Sequence, residues 1–309
     1  MAQTNYYEIT PLDTLFFRGS TPMEAGQYNT VSLFPPPPSV LKGALWTAYC
    51  SKTGAAFSAI DGKIPLEIKG FFVKKDEKLY VPAPATWYYD SDEKKKKGTE
   101  LKNVSLCIAK DVSETLNTLN MKSSAEDVVF AVPENDAKAL GGAWVLFDFI
   151  QDPKAKFSDD SVLFNSDIYS SESRTGVGLT AEKKAEDGKL YTSTHIRLHD
   201  GISFVIAVDS AIDFDKGKMI LGGERRIAEY KKYDKTLSFK ENSSVLFLSV
   251  MPIEATAENL KSLISSAKLT VISGWDMAKG FHKSSVSWIP AGAVFNSKVN
   301  NSCIPLGTI

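Results

Sequence analysis

Apolar and polar residues alternate over many short stretches of this chain, a pattern that predicts more strands than helices. The predicted strands cover residues 6–10, 64–74, 78–82, 191–198, 201–208, 244–251 and 269–272. The polar turn Lys75-Asp76-Glu77 joins the second and third of them as a hairpin. The strands at 191–198 and 201–208 are expected to lie together in a second sheet. Residues 144–150 fit either a strand or a helix.

Helical spacing of apolar residues is confined to a few segments. Residues 40–52 form a predicted amphipathic helix that follows four prolines, which fix an extended segment. Ser39 is its predicted N-cap, and Gly43 is expected to face a closely packed neighbour. A second helix is predicted over residues 256–267, and short helices over 113–121 and 134–140.

Two glycine-rich stretches interrupt this pattern. Residues 170–190 contain R-T-G-V-G and end at the turn signal Asp187-Gly188, and their polar middle predicts a protruding β-hairpin. Residues 273–295 contain three glycines, three cationic or potentially cationic side chains and two tryptophans. Taken alone, this second stretch fits a connection between core strands.

These elements together predict an α+β fold with two sheet-and-helix units and large insertions. Residues 1–165 are the expected N-terminal unit, with an exposed lysine-rich insertion around residues 94–97. Residues 166–309 are the expected C-terminal unit, which carries the hairpin and the glycine-rich stretch.

Composition and charge narrow the class of protein. Hydrophobic residues make up 43% of the 309 residues and charged residues 24%, as in a soluble globular protein. The formal net charge is −1, so an anionic partner has to be held by a local cationic patch. The three cysteines are far apart and suit a reducing compartment. Without a signal peptide or an apolar run of membrane-spanning length, the expected location is the cytoplasm, with no membrane partner.

Catalytic and metal-binding motifs give no support for an enzyme. The sequence has no G-x-S-x-G elbow, H-E-x-x-H, EF-hand or P-loop pattern, so neither a metal nor another cofactor is predicted. His195 and His199 alternate with apolar residues and are interpreted as structural.

A glycine beside a cationic residue recurs at four places that are far apart in the sequence. Glycine lets a backbone approach a ligand closely, and cationic side chains next to it suit phosphates. The four places are Arg18-Gly19; Arg174 with Gly176 and Gly178; Gly222-Gly223 with Arg225-Arg226; and Lys279-Gly280 with His282-Lys283. Convergence of all four on one polyanion would make a binding site for nucleic acid.

The order of several motifs resembles the Cmr-complex subunit three family of type III-B CRISPR systems, in the repeat-associated (RAMP) superfamily. The matching stretches are P-L-D-T-L-F-F-R-G from Pro11, F-P-P-P-P-S-V-L-K-G-A-L from Phe34, V-P-A-P from Val81, R-T-G-V-G-L-T from Arg174 with the later E-D-G-K-L-Y-T, L-G-G-E-R-R from Leu221, and G-W-D-M-A-K-G with I-P-A-G-A-V-F from Gly274 to Phe295.

The resemblance implies two ferredoxin-like (RRM-like) units with insertions and a thumb-like hairpin. It also implies a non-catalytic subunit of an RNA-guided antiviral effector complex. Its implied partners are the 5′ handle of CRISPR RNA, the large polymerase/nuclease subunit and the first backbone subunit. Carried over to this chain, the RNA-binding candidates are Arg18, Ser39, Lys42, Arg174, Thr175, Gly176, Gly178, Arg225, Arg226, Lys279, Gly280, His282 and Lys283.

Aromatic residues in the matching motifs leave two interpretations open. Phe16, Phe17 and Trp275 have flat rings on which the bases of a single-stranded RNA can stack. Packing in the core is the interpretation that we favour for all three.

Two other function classes remain open at this stage. The first is a metal-independent endoribonuclease of CRISPR repeats, in which His282 or His199 would act as general base at a 2′-hydroxyl. The second is a small-molecule enzyme that uses the glycine loops to hold a phosphorylated substrate in a deep pocket.

Overall fold

The computed structural model of the chain describes residues 3–19, 28–56, 64–90, 104–106, 109–111, 118, 120, 129–131, 137–151, 159–210, 212–235, 237, 246–273, 275–276 and 281–306. The chain forms two compact units, each assembled from three segments. Unit 1 comprises Met1–Ile68, Ile168–Lys235 and Val271–Val286, and unit 2 comprises Lys69–Asp167, Thr236–Thr270 and Ser287–Ile309. The predicted domain boundary between residues 165 and 166 lies close to Ile168, where the chain leaves unit 2 and enters unit 1. The two predicted domains themselves stay a prediction.

Short strands dominate both units. In chain order they are β1 (Gln3–Pro11), β2 (Tyr28–Val31), β3 (Leu66–Lys75), β4 (Lys78–Pro82), β5 (Trp87–Asp90), β6 (Val104–Leu106), β7 (Ala109–Asp111), β8 (Val129–Ala131), β9 (Ala137–Ala139), β10 (Trp144–Leu146), β11 (Val162–Leu163), β12 (Tyr169–Leu179), β13 (Ala185–Leu198), β14 (Ile202–Ser210), β15 (Lys216–Ile220), β16 (Ile227–Lys232), β17 (Leu246–Ser249), β18 (Ile253–Glu254), β19 (Leu263–Ser265), β20 (Thr270–Ile272), β21 (Trp275–Asp276), β22 (Phe281–His282), β23 (Val286–Ile289), β24 (Val294–Phe295) and β25 (Cys303–Leu306). The α-helices whose bounds lie within the described residues are α1 (Pro38–Thr53), α2 (Phe147–Gln151), α3 (Asn165–Ile168) and α4 (Ala257–Lys261), and Asp159–Ser161 form a 3-10 helix. The architecture is therefore mixed and rich in antiparallel strands.

The main sheet of unit 1 has the strand order β14-β1-β16-β15, and all three pairings are antiparallel. Tyr7 lies opposite Ile206 and Ile9 lies opposite Phe204, and all four side chains are buried. The predicted pairing of strands 191–198 and 201–208 in one sheet is therefore wrong. β14 pairs with β1 because both strands place apolar residues on the same buried face.

Helix α1 contacts the sheet of unit 1. Its buried residues include Leu41, Leu45 and Trp46, and the ring of Tyr49 lies 6.1 Å from that of Phe214. The predicted N-cap was wrong: the helix begins at Pro38 after Pro37, without a side-chain cap. Proline is well tolerated in the first helical turn, because its fixed φ suits a helix and its missing N–H would be unpaired there anyway. Ser39 consequently lies inside the first turn and is exposed.

Gly43 in the middle of α1 does not face a closely packed neighbour, contrary to the prediction. A Cβ placed on it would meet no atom within 4 Å. We therefore expect Gly43→Ala to raise the free energy of unfolding by about 0.5–1 kcal/mol, because alanine reduces the entropy that the chain loses on folding. Urea denaturation of the two proteins measures this difference. A variant less stable than the parent chain would show that the added methyl group collides with a neighbour.

The second sheet of unit 1 has the order β12-β13-β2. β12 and β13 are antiparallel over a long register from Tyr169–Leu198 to Leu179–Ala185, and β2 joins β13 in parallel. The predicted turn at Asp187-Gly188 is wrong, since the chain reverses between Thr180 and Lys184 and Gly188 lies within β13. With φ +74°, Gly188 takes a conformation that is open to glycine and fits the irregular pairing there. Whether this hairpin protrudes as a thumb stays a prediction.

Unit 2 contains several small antiparallel sheets. One has the order β11-β10-β4-β3 and another β19-β24-β17-β25. The predicted hairpin of residues 64–74 and 78–82 is confirmed as β3 and β4, and the ambiguous residues 144–150 form β10 followed by α2. An apolar cluster at the second sheet includes Ile289, Phe295 and Cys303, and burial raises the pKa of the Cys303 thiol.

Two predicted helices of unit 2 were wrong in extent or type. The helix expected over residues 256–267 ends at Lys261, and Leu263–Ser265 form strand β19, which pairs with β24. Strand pairing in the tertiary fold overrides the local apolar spacing there. The helix expected over residues 134–140 is replaced by strand β9.

Some predicted features lie outside the described residues. They are the lysine run at residues 94–97, most of the helix at 113–121, and the candidates Lys279 and Gly280. Among the helices that the structure does describe, none combines the length and apolar character needed to cross a membrane.

Candidate nucleic-acid interface

The segment that follows β1 is fixed by backbone hydrogen bonds to three other parts of unit 1. Leu15 exchanges two of them with Ile196 of β13, at 2.7 and 2.8 Å. The carbonyl of Phe17 accepts from Leu33 N–H at 2.8 Å, and that of Phe16 accepts from Gly223 N–H at 2.7 Å. Both phenylalanine side chains are buried, as we favoured from the sequence. Because these bonds anchor Leu15, Phe16 and Phe17, the nearby Asp13 lies beside β13 and the loop that contains Gly223.

The β15–β16 loop, residues 221–226, has an unusual backbone. Gly222, Glu224 and Arg225 all have positive φ, at +83°, +55° and +53°. Leu221 N–H closes the loop by donating to the carbonyl of Arg226 at 2.7 Å. A Cβ on Gly222 would lie 2.5 Å from the carbonyl oxygen of Phe16, so only glycine allows this approach. The loop thereby brings Glu224 and Arg226 next to the segment after β1.

Asp13 lies at the centre of an ion-pair network. Its Oδ2 is 2.6 Å from Nη1 of Arg226. Its Oδ1 is 3.2 Å from Nη2 of Arg197 and 4.0 Å from Nη2 of Arg174. One carboxylate on the segment after β1 thus faces guanidinium groups from β12, β13 and the β15–β16 loop.

Two glutamates complete this network. Glu172 accepts from Arg174 through Oε1, at 3.0 Å from Nε and 2.8 Å from Nη2, and from Arg197 Nε through Oε2 at 2.7 Å. Glu224 Oε2 is 2.6 Å from Nη2 of Arg226. The network therefore balances three arginines against three carboxylates.

His195 lies beneath the network and is fully buried. Its ring stacks on Phe16 with centroids 4.9 Å apart. Its nitrogens lie near hydroxyls, with Nε2 3.2 Å from Ser193 Oγ and Nδ1 3.4 Å from Thr14 Oγ1, and Nε2 is also 3.5 Å from Glu224 Oε1. This buried position agrees with the structural role interpreted from the sequence.

The network sets the protonation states of its members. A backbone hydrogen bond from Thr14, supported by the nearby arginines, lowers the pKa of Asp13. Hydrogen bonds from Arg174 and Arg197 lower the pKa of Glu172. Burial lowers the pKa of His195, although Glu224 opposes this shift. Asp13 and Glu172 are therefore charged and His195 neutral at physiological pH.

The other RNA-binding candidates differ in how they are placed. Arg18, Ser39, Thr175, Arg225 and Lys283 are exposed, and Lys42, Gly176 and Gly178 are half-buried. Within the part of the chain that the structure describes, Arg18, Lys42, Arg225 and Lys283 form no ion pair. No described carboxylate therefore compensates the charge of these four side chains, whereas Arg174 and Arg226 are compensated.

The glycine-rich stretch from residue 273 forms β21 to β24 in its described parts. β21 pairs with β22 through Trp275 and His282, and Phe281 beside it is 68% exposed. The side chains of Trp275 and His282 lie outside the described residues. Trp288 is half-buried. No described residue of this stretch takes part in the network around Asp13.

Comparison with known proteins identifies the family. The family model for "CRISPR-associated protein (Cas_Cmr3)" matches residues 7–255, which include every member of the ion-pair network. The chain belongs to this family. The recognition from sequence motifs is thereby confirmed, and the chain is a Cmr3-type subunit of type III-B CRISPR systems.

Two solved structures share the fold of this Cmr3-type subunit. A chain of the type III-B Cmr-beta complex, determined by cryo-EM with cognate target RNA and AMPPnP, aligns with TM-score 0.60 and 18% identity over 94% of this chain and 85% of its own. A chain of the same complex with cognate target RNA alone aligns with TM-score 0.57 and 18% identity over 95% of this chain and 87% of its own. No curated protein matches the chain.

Several residues of the interface were missed in the sequence. Asp13, Glu172 and Glu224 were not candidates, because the pattern of glycine beside a cation does not include carboxylates, and Arg197 was not, because no glycine lies next to it. The alternation of side chains along a strand could have identified some of these residues, since residues two apart share a face. Glu172 and Arg174 on β12 and Arg197 on β13 occupy one face in the observed register. Among the described residues, no group of histidine, cysteine or acidic side chains could hold a metal ion.

Proposed function

We propose that this Cmr3-type subunit binds the 5′ handle of CRISPR RNA at the face of unit 1 that carries the ion-pair network. In this role it is a non-catalytic part of a type III-B effector complex, and it docks the large polymerase/nuclease subunit beside the first backbone subunit. The two ferredoxin-like units and a thumb-like hairpin implied by the family resemblance belong to the same proposal.

One observation carries the proposal: stretches that are far apart in the sequence converge in space. The segment after β1 ends at Arg18-Gly19, β12 contains Arg174 and Gly176, and the β15–β16 loop contains Gly222 to Arg226. Hydrogen bonds and ion pairs join these three, as the contact between Asp13 and Arg226 illustrates at 2.6 Å. The stretches that carry three of the four predicted pairs of glycine and cation are thus joined, which supports one shared polyanionic ligand.

The chemistry of this face suits RNA. Arginine forks bind phosphate oxygens, and this face carries several arginines. Arg18 and Arg225 supply charge that no described carboxylate compensates, so they can draw in a phosphate backbone before any internal ion pair opens. Phe16 and Phe17 are buried and so do not offer stacking surfaces for bases.

Burial removes only His195 from the possible general bases of the rival endoribonuclease, whose candidates are His282 and the exposed His199. A general base has to reach the 2′-hydroxyl of the substrate, and the ring of His195 has no exposed surface. Incubation of the purified chain with labelled repeat RNA in EDTA tests the rival activity. Specific cleavage that disappears in His282→Ala would assign the chain to the endoribonucleases instead.

The binding proposal is tested by removing single exposed charges. We expect Arg225→Ala and Arg18→Ala each to weaken binding of a handle RNA several-fold, because each loses a phosphate contact. Each should also reduce the slope of log affinity against log salt by about one unit. Fluorescence anisotropy between 50 and 200 mM salt measures both quantities, so the deficit should shrink as salt rises.

Lys52→Ala is the matched control. Lys52 is an exposed cation in the last turn of α1 in the same unit, and no converging stretch contains it. Its substitution should leave affinity and slope close to those of the parent chain. If Arg225→Ala and Lys52→Ala have the same affinity and slope, the proposed interface is wrong.

A further inference from the structure

The contacts around Asp13 have the geometry of an anion site. Guanidinium groups of Arg174, Arg197 and Arg226 face its two carboxylate oxygens at 4.0, 3.2 and 2.6 Å. Arginine forks bind carboxylates and phosphates in the same planar geometry. Three arginines brought together from separate strands and a loop therefore offer more donors than a single carboxylate can use.

We propose that Arg174, Arg197 and Arg226 form a binding site for one phosphodiester group of RNA, and that the carboxylate of Asp13 occupies this site in the free protein. The inference rests on the proposed function and deepens it. It adds Arg197 to the RNA-binding residues and makes Asp13 a residue that sets specificity. When RNA binds, a phosphate displaces the Asp13 carboxylate.

The arrangement of contacts explains why Asp13 gives way while the arginines stay. Arg174 and Arg197 both remain held by Glu172, a neighbour on the same face of the hairpin, at 2.7–3.0 Å. Arg226 remains held by Glu224 at 2.6 Å. Each arginine thus keeps one carboxylate when Asp13 leaves, so the three guanidinium groups stay oriented for a phosphate.

Asp13 itself is placed to move. Its side chain is 42% exposed, and two of its three arginine contacts exceed 3 Å. It lies on a segment between β1 and the buried Leu15, so its side chain can turn to solvent once it gives up the hydrogen bond from Thr14 and the ion pair with Arg226. Arg226 can also donate a further hydrogen bond, since its buried Nε has no acceptor among the described residues.

A site occupied by an internal carboxylate discriminates between anions. A free phosphate ion gains the arginine contacts only by displacing Asp13, so it competes poorly with the carboxylate. An RNA strand that also reaches Arg18 and Arg225 gains further contacts while it displaces Asp13. Asp13 would therefore favour a polyanion of the right shape over small anions and over RNA that contacts the arginines alone.

The test compares Asp13→Asn with Asp200→Asn in the full chain. Both variants remove one negative charge, but Asp200 lies exposed in the β13–β14 turn without an ion pair among the described residues. We expect Asp13→Asn to bind single-stranded handle RNA about fivefold to tenfold more tightly than the parent chain, because the phosphate no longer has to break the ion pairs of Asp13 with Arg197 and Arg226. Asp200→Asn should bind like the parent chain. Equal affinities of the two variants would overturn the inference.

A second measurement uses inorganic phosphate alone. At constant ionic strength, replacing chloride by phosphate should raise the unfolding temperature of Asp13→Asn more than that of the parent chain or of Asp200→Asn. Arg197→Gln should cancel this gain and should weaken RNA binding several-fold on its own. An unchanged RNA affinity in Arg197→Gln would also overturn the inference, and this outcome does not depend on the folding of Asp13→Asn.

The two measurements separate this inference from the proposed function. If phosphate stabilises Asp13→Asn but no variant binds handle RNA, the anion site stands and handle binding fails. If the parent chain binds handle RNA but Asp13→Asn binds no more tightly, handle binding stands and the role of Asp13 fails.

Discussion

Gly222→Ala is expected to destabilise unit 1 by about 3 kcal/mol, since it adds a steric collision to a strained backbone. Gly222 has φ +83°, and a Cβ there would lie 2.5 Å from the Phe16 carbonyl oxygen and 3.0 Å from the Phe17 ring. Both neighbours are fixed, because the Phe16 carbonyl accepts from Gly223 N–H and both rings are buried. The β15–β16 loop would have to move away. Urea denaturation measures the loss of stability.

Gly54→Ala is the matched control for this prediction. Gly54 ends α1 with φ +72°, but a Cβ there would meet no atom within 4 Å. Its substitution should therefore carry only the backbone strain, about 1 kcal/mol. If the two variants were equally stable, the close approach of the loop to Phe16 would be wrong. Displacement of Glu224 and Arg226 should also weaken handle binding in Gly222→Ala but not in Gly54→Ala.

Phe16→Ala is expected to lower the free energy of unfolding by about 3–5 kcal/mol, as is typical for loss of a buried aromatic side chain. The Phe16 ring is 3% exposed and stacks on His195. Its removal would open a cavity directly beneath the network, and His195 would lose its packing partner. Thermal or urea unfolding measures the effect on stability.

Phe16→Leu separates packing from base stacking. Leucine fills most of the buried volume, so this variant should recover a large part of the stability and bind handle RNA nearly as well as the parent chain. A stable Phe16→Leu protein that had lost RNA binding would mean that the aromatic ring contacts bases. In that case the buried position of Phe16 in the free protein would not persist in the complex.

Local sequence patterns predicted where strands and helices lie better than they predicted which of these elements pair or pack together. The strands at residues 6–10 and 78–82 and most of α1 could be predicted, because alternation and helical spacing report which residues face a core. The start of α1 could not be predicted correctly. The helix begins at Pro38 and has no side-chain cap, so Ser39 is not its N-cap. The helix predicted over residues 256–267 ends early because Leu263 and Ser265 pair with β24.

The ion-pair network around Asp13 could be predicted only in part. The pattern of glycine beside a cation marked two of its arginines, Arg174 and Arg226. Asp13 and Glu172 could not be found this way, because their importance depends on tertiary contacts. Asp13 and Arg226 are 213 residues apart, and no local pattern links them.

The position of β1 in the middle of the unit 1 sheet affects how the chain folds during synthesis. Glu8 of β1 accepts a hydrogen bond from Ser203 of β14, which is 195 residues later. At about 5–20 residues per second, a ribosome takes roughly 10–40 s to add that length. During this interval β1 has neither of its partner strands, although the local hairpin of β3 and β4 can already form. Unit 1 therefore closes late, and a pause in translation between these strands would prolong the time for which β1 is unpaired.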